Sequence, residues 1–102
     1  MKNINITDFI PKGRANAISS KELKALIGID ERTVRQNIAS TRLKGVVICS
    51  ILDGNSGGYF LPESPEEAVE YLRTERARIR SAKRALQGAE KYISELEAHS
   101  ND

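Results

Sequence analysis

Apolar residues in this chain recur first in short clusters and then, towards the end, in a long strict repeat. Ile4, Ile6, Phe9 and Ile10 cluster at the start and predict a short helix over residues 3–11, ended by Pro11 and Gly13. Asn16, Ala17 and Ile18 read as a very short extended segment. Ser19 followed three residues later by Glu22 has the form of a capping box, and Ile18 is placed to pack on Leu23 across the helix start. Leu23, Leu26 and Ile27 follow as one apolar stripe at helical spacing. Gly28, which enters the left-handed region without penalty, stops that helix. Asp30 caps the next helix, with Ile29 placed to pack on Val34. Val34, Ile38 and Thr41 turn inward, leaving Arg32, Thr33, Arg35, Gln36, Asn37 and Ser40 on outward faces. Lys44 and Gly45 close this helix, which covers residues 30–44.

The pattern then changes. Val46 to Leu52 is mostly β-branched or apolar and predicts a strand. Asp53-Gly54-Asn55-Ser56-Gly57-Gly58 reads as a turn, Tyr59, Phe60 and Leu61 supply the return strand, and Pro62 ends it. Ser64 as cap, Pro65 at the first helical position and Glu66 and Glu67 in the first turn begin a long helix that runs to about residue 97. Gly88 alone interrupts it, at a cost of about 1 kcal/mol relative to alanine. Leu72, Ile79, Leu86 and Ile93 recur every seven residues, and Ala68, Ala82, Ala89 and Leu96 take the alternate seam position, with Glu75 as the polar break. Tyr71 and Tyr92 stand beside the seam.

Composition narrows the classes. The chain has 102 residues, 39% of them apolar and 5% aromatic, which suits one modest core and an extension. There is no apolar run of membrane-spanning length and no signal-peptide pattern, so a cytoplasmic protein is expected. Cys49 lies in an apolar run and reads as a small buried hydrophobe. It cannot form an internal disulfide, and with His99 as the single histidine no zinc site or Cys-His nucleophile can be assembled within the chain. No paired acid and base stand out, so no enzyme, cofactor or metal is expected. The net charge is only +2, but it is unevenly placed. From Lys12 to Lys44 there are five more positive than negative charges, the stretch from Glu63 to Glu70 is acidic, and Arg73 to Arg84 is basic again. That layout fits an anionic partner.

Two short helices joined by a tight glycine turn, the second polar and basic outside, make a helix-turn-helix unit. An α-helix fits the major groove, where Arg, Gln, Asn, Ser and Thr bond base edges and phosphates. Residues 16–23 (Asn-Ala-Ile-Ser-Ser-Lys-Glu-Leu), 28–35 (Gly-Ile-Asp-Glu-Arg-Thr-Val-Arg) and 58–62 (Gly-Tyr-Phe-Leu-Pro) together resemble the winged helix-turn-helix domains of small bacterial and bacteriophage regulators. They also resemble the DNA-binding heads of the biotin-repressor and DeoR-like groups. The resemblance covers roughly residues 4 to 62. It implies that Arg32, Thr33, Arg35 and Gln36 face DNA. At the third inward position of the second helix such families carry Leu; here Thr41 stands there, so its hydroxyl must find a backbone acceptor or Leu43 must rotate in.

The expected fold is mainly α with a small β-hairpin: a winged helix-turn-helix domain over residues 1–62, then a long helix over 63–102 with a frayed end. The expected function is sequence-specific binding of double-stranded DNA by a dimeric transcriptional regulator, or a replication-associated factor. The DNA-facing residues are Arg32, Thr33, Arg35, Gln36 and Ser40, with Ser19, Lys21 and Asn55 of the wing (51–58) near the backbone. Leu72, Ile79, Ala82, Leu86, Ala89, Ile93 and Leu96 form the pairing seam, parallel or antiparallel. The competing readings are a helix folded back on its own head and a protein-interaction adaptor docking that helix on another protein.

Overall fold

The computed structural model describes residues 5–51 and 57–100, the last by its backbone only. Among these residues the chain is mainly helical, with one two-stranded antiparallel hairpin and a long C-terminal helix. It divides into two compact units, Met1–Tyr71 and Leu72–Asp102.

The first unit opens on a single 3-10 turn, Ile6–Phe9, where the sequence pattern predicts a longer helix. Ile10 is already extended, as the residue before a proline is constrained to be. A second 3-10 turn, Arg14–Asn16, takes up part of the segment expected to be extended, and only Ile18 joins the sheet. The capping box forms as the sequence specifies. Ser19 Oγ accepts from the Glu22 N–H and Glu22 Oε1 accepts from the Ser19 N–H, both at 3.0 Å. These bonds start α1 (Ser20–Ile27) and hold the Glu22 carboxyl below its ordinary pKa. Gly28 ends α1 at φ +84°, and its N–H donates to the Lys24 carbonyl at 2.8 Å. A Cβ at Gly28 would meet nothing within 4 Å, so Gly28→Ala carries only the backbone penalty. We expect it to destabilise the first unit by about 1–2 kcal/mol in urea denaturation.

Asp30 caps α2 (Glu31–Leu43) by accepting from the Thr33 N–H at 2.7 Å. Ile6, Ile10, Leu23, Val34, Ile38 and Ile48 form one buried cluster, with Ile18, Ile27, Ile29, Tyr59 and Leu61 partly buried against it. Two residues depart from the sequence pattern. Leu26 is 59% exposed, because the core lies on the Leu23 and Ile27 side of α1. Leu43 is 90% exposed and does not rotate in; it lies five residues beyond Ile38, ~140° round the helix. Thr41 needs no such help, since its hydroxyl donates to the Asn37 carbonyl at 2.7 Å.

The hairpin is shorter than its sequence suggests. β1 (Cys49–Ile51) pairs antiparallel with β2 (Gly58–Phe60), Cys49 opposite Phe60 and Ile51 opposite Gly58. Val46 and Val47 stay exposed outside the strand, because this register would set Pro62, which has no N–H, opposite Val47. Ile18 and Tyr59 exchange both backbone hydrogen bonds, at 2.9 and 2.7 Å, on the other edge of β2. Gly58 permits that approach: a Cβ there would stand 3.2 Å from Ala17 Cβ and the Ile18 carbonyl. Cys49 is fully buried, as its apolar setting predicts. Asn3 and Ile4 of the predicted first helix and residues 52–56 of the predicted strand and turn, Asn55 included, lie outside the described residues.

α3 (Pro65–Ser100) extends past the expected end near residue 97. Its first turn is tied to the first unit by one carboxylate. Glu67 accepts from the Glu63 N–H at 2.8 Å and the Arg14 N–H at 3.1 Å, in that order lowering its pKa. A depressed carboxyl stabilises the fold fully above the ordinary carboxylate range and loses that contribution as pH falls through its folded value. Glu67→Gln should therefore lower the melting temperature at neutral pH, and the difference from wild type should vanish in acid.

From Leu72 onward α3 forms the second unit, and Gly88 does not interrupt it. The whole helix is 36 residues, ~54 Å at 1.5 Å per residue. Its seam is open: Ile79 is 62% and Leu86 64% exposed, and Leu72, Ile93 and Leu96 are about half exposed. Ala82 and Ala89 are exposed with them. Among the described residues, no helix is long and apolar enough to cross a membrane.

Candidate nucleic-acid interface

The candidate surface is the outer face of α2, and the buried face decides which residues lie on it. Val34 and Ile38 are fully buried, fixing the rotation of the helix. At ~100° per residue, Arg32, Gln36, Ala39 and Leu43 then fall along the middle of the opposite side, with Arg35 and Ser40 flanking them. All six are exposed. Thr33 is half-buried beside the Asp30 cap, and Asn37 is half-buried with its carbonyl taken by Thr41. The first two turns thus carry Arg32, Arg35 and Gln36 outward together, and the last turn ends apolar at Leu43.

The start of α1 stands beside the start of α2. Ser20 Oγ donates to Glu31 Oε1 at 3.3 Å, joining the two helix beginnings. Lys21 is exposed, while Ser19 is half-buried with its oxygen accepting the cap hydrogen bond. The Ser19 hydroxyl keeps its own proton as a donor. Lys21, Lys24, Gly28, Ile29 and Asp30 line a shallow groove of about 450 Å³ at the turn between the helices. Asp30 is the carboxylate in it. The Thr33 side-chain and backbone hydrogen bonds lower its pKa, with smaller contributions from Lys24 and Arg35. It stays ionised at the mouth of α2, tempering the positive charge there while it fixes the helix start.

No protein-family model matches the chain, and comparison with curated proteins and with solved structures finds nothing similar. The surface is therefore read from its own chemistry. Its residues are donors on the exposed face of a helix, and among the described residues there is no cluster of His, Cys, Asp or Glu able to hold a metal. Such an arrangement can hydrogen-bond an extended anionic or polar surface.

Arg42 is a residue whose position was missed. In the sequence it counts only towards the positive balance of residues 12–44. In the structure its Nε and Nη2 donate to the Ile48 carbonyl at 2.9 and 2.7 Å, and its guanidinium lies 5.5 Å from the centre of the Tyr71 ring. It clamps the end of α2 to the approach of β1 and to the start of α3, so it is withdrawn from any outer partner. The helical period carried the signal, since Arg42 is four residues beyond the buried Ile38. Asn55 lies outside the described residues, and the seven seam residues all lie on α3, away from this surface in sequence.

Proposed function

We propose that the chain is a dimeric DNA-binding protein of the winged helix-turn-helix type, acting as a transcriptional regulator or replication-associated factor and not as an enzyme. α1 and α2 form the helix-turn-helix, and the hairpin of β1 and β2 is the wing. The observation that carries this reading is the joint exposure of Arg32, Arg35 and Gln36 on the first turns of a helix whose rotation the core fixes. The N-terminal turns of a recognition helix are the part that reaches base edges in the major groove. Lys21 and the Ser19 hydroxyl, at the start of α1, would anchor the pair to the phosphate backbone. Two-fold pairing through α3 would supply two reading heads.

A second reading has its own support. Leu43 at 90% exposure, with Leu26, Val46 and Val47 also exposed, offers apolar surface that a protein partner would cover. Salt separates the two. DNA binding through several cationic side chains should weaken steeply between about 50 and 200 mM salt, whereas apolar docking should not. Titration of a labelled mixed-sequence duplex by fluorescence anisotropy at both salts tests this. Saturable binding lost at high salt supports the DNA reading; no binding at low salt removes it.

A further inference from the structure

We propose that α3 pairs with α3 of a second copy in antiparallel orientation; this rests on the self-association in the proposed function and fixes its geometry. In the heptad frame set by Leu72, Ile79, Leu86 and Ile93, the alternate seam positions are Glu75, Ala82, Ala89 and Leu96. Parallel helices set each seam position against itself. Glu75 would face Glu75, and Ala82 and Ala89 would face themselves, leaving two layers underfilled. Antiparallel helices centred between Gln87 and Gly88 set Ile79 against Leu96, Ala82 against Ile93, and Leu86 against Ala89. Each alanine then meets a large side chain, and Glu75 moves out to the end of the pair.

The charges beside the seam give the same answer independently. One flank carries Arg76, Lys83, Glu90 and Glu97 at seven-residue spacing, positive in its first half and negative in its second. Antiparallel pairing brings this flank against itself in reverse order. Lys83 then faces Glu90 and Arg76 faces Glu97, and the two-fold axis makes each pair twice. The parallel arrangement instead brings Lys83 of one copy to Arg78 of the other, which Glu75 already pairs at 2.9 Å, and so gives Lys83 no acidic partner. On the remaining flank, antiparallel order sets Ala85 against Tyr92, again small against large. The two chains therefore enter the pair from opposite ends, their Leu72 residues ~46 Å apart along the axis.

Within one helix Lys83 and Glu90 are seven residues apart, ~10 Å along the axis and out of contact, so a charge swap reads the pairing alone. Lys83→Glu or Glu90→Lys in the full chain should each raise the dimer dissociation constant roughly tenfold by sedimentation equilibrium. The double swap should restore it. In a Cys49→Ala background, oxidising a mixture of Ala82→Cys and Ile93→Cys chains should give the mixed disulfide, while Ala82→Cys alone should not link to itself. Self-linked Ala82→Cys, or a double swap no better than the singles, would overturn the antiparallel pairing while leaving a dimer standing. A chain monomeric at all concentrations would overturn both the pairing and the dimer on which it rests.

Discussion

Ile38→Ala is expected to remove about 2–5 kcal/mol of stability from the first unit, enough to unfold most of a small domain. Ile38 is fully buried at the meeting of α2 with Leu23, Ile6 and Ile48, and it fixes the rotation that sends Arg32, Arg35 and Gln36 outward. Removing three carbons there opens a cavity in a core of few large side chains, with little neighbouring mass to collapse into it. Thermal melting followed by circular dichroism should show the loss as a lowered melting temperature. A single transition unchanged from wild type would contradict the central packing role given to Ile38.

The second large effect is on binding. Arg35→Ala and Arg32→Ala should each cost about 1–3 kcal/mol on the preferred duplex and relax preference at the base pairs they read. Lys21→Ala should weaken all duplexes about equally and reduce the salt dependence, the behaviour of a phosphate contact. Arg42→Ala is the contrasting control. Its guanidinium is held by the Ile48 carbonyl and the Tyr71 ring, so its loss should lower stability without shifting sequence preference. Equal effects of Arg35→Ala and Lys21→Ala on every duplex would remove the division between base reading and backbone anchoring.

The local signals were legible in the sequence because they are local. Ser19 and Glu22, Gly28 and Asp30 specify their caps and turn through bonds spanning three or four residues, and all form. The buried members of the helix stripes, Leu23, Val34 and Ile38, follow from periodicity alone. What periodicity could not give was set by partners distant in the chain. Val46 and Val47 have strand-like side chains, but Pro62 lies where the partner of Val47 would be. Leu26 and Leu43 are apolar on faces the core does not reach. Glu67 looks like an ordinary first-turn acid, yet it receives the Arg14 N–H from 53 residues away. The outward placement of Arg32, Arg35 and Gln36 was readable because Val34 and Ile38 define the opposite side. The helical period turned Arg42 towards the Ile38 side, but its partners, the Ile48 carbonyl and the Tyr71 ring, needed the rest of the fold to be in place.

Selection from a randomised duplex DNA pool by the 102-residue chain at two salt concentrations, with sequencing of what is retained, tests the central claim most directly. A motif enriched at low salt, weakened at high salt and lost in the Arg32→Ala/Arg35→Ala double variant is the predicted result. Retention no better than a scrambled control at low salt, by a protein shown to be folded, would contradict it.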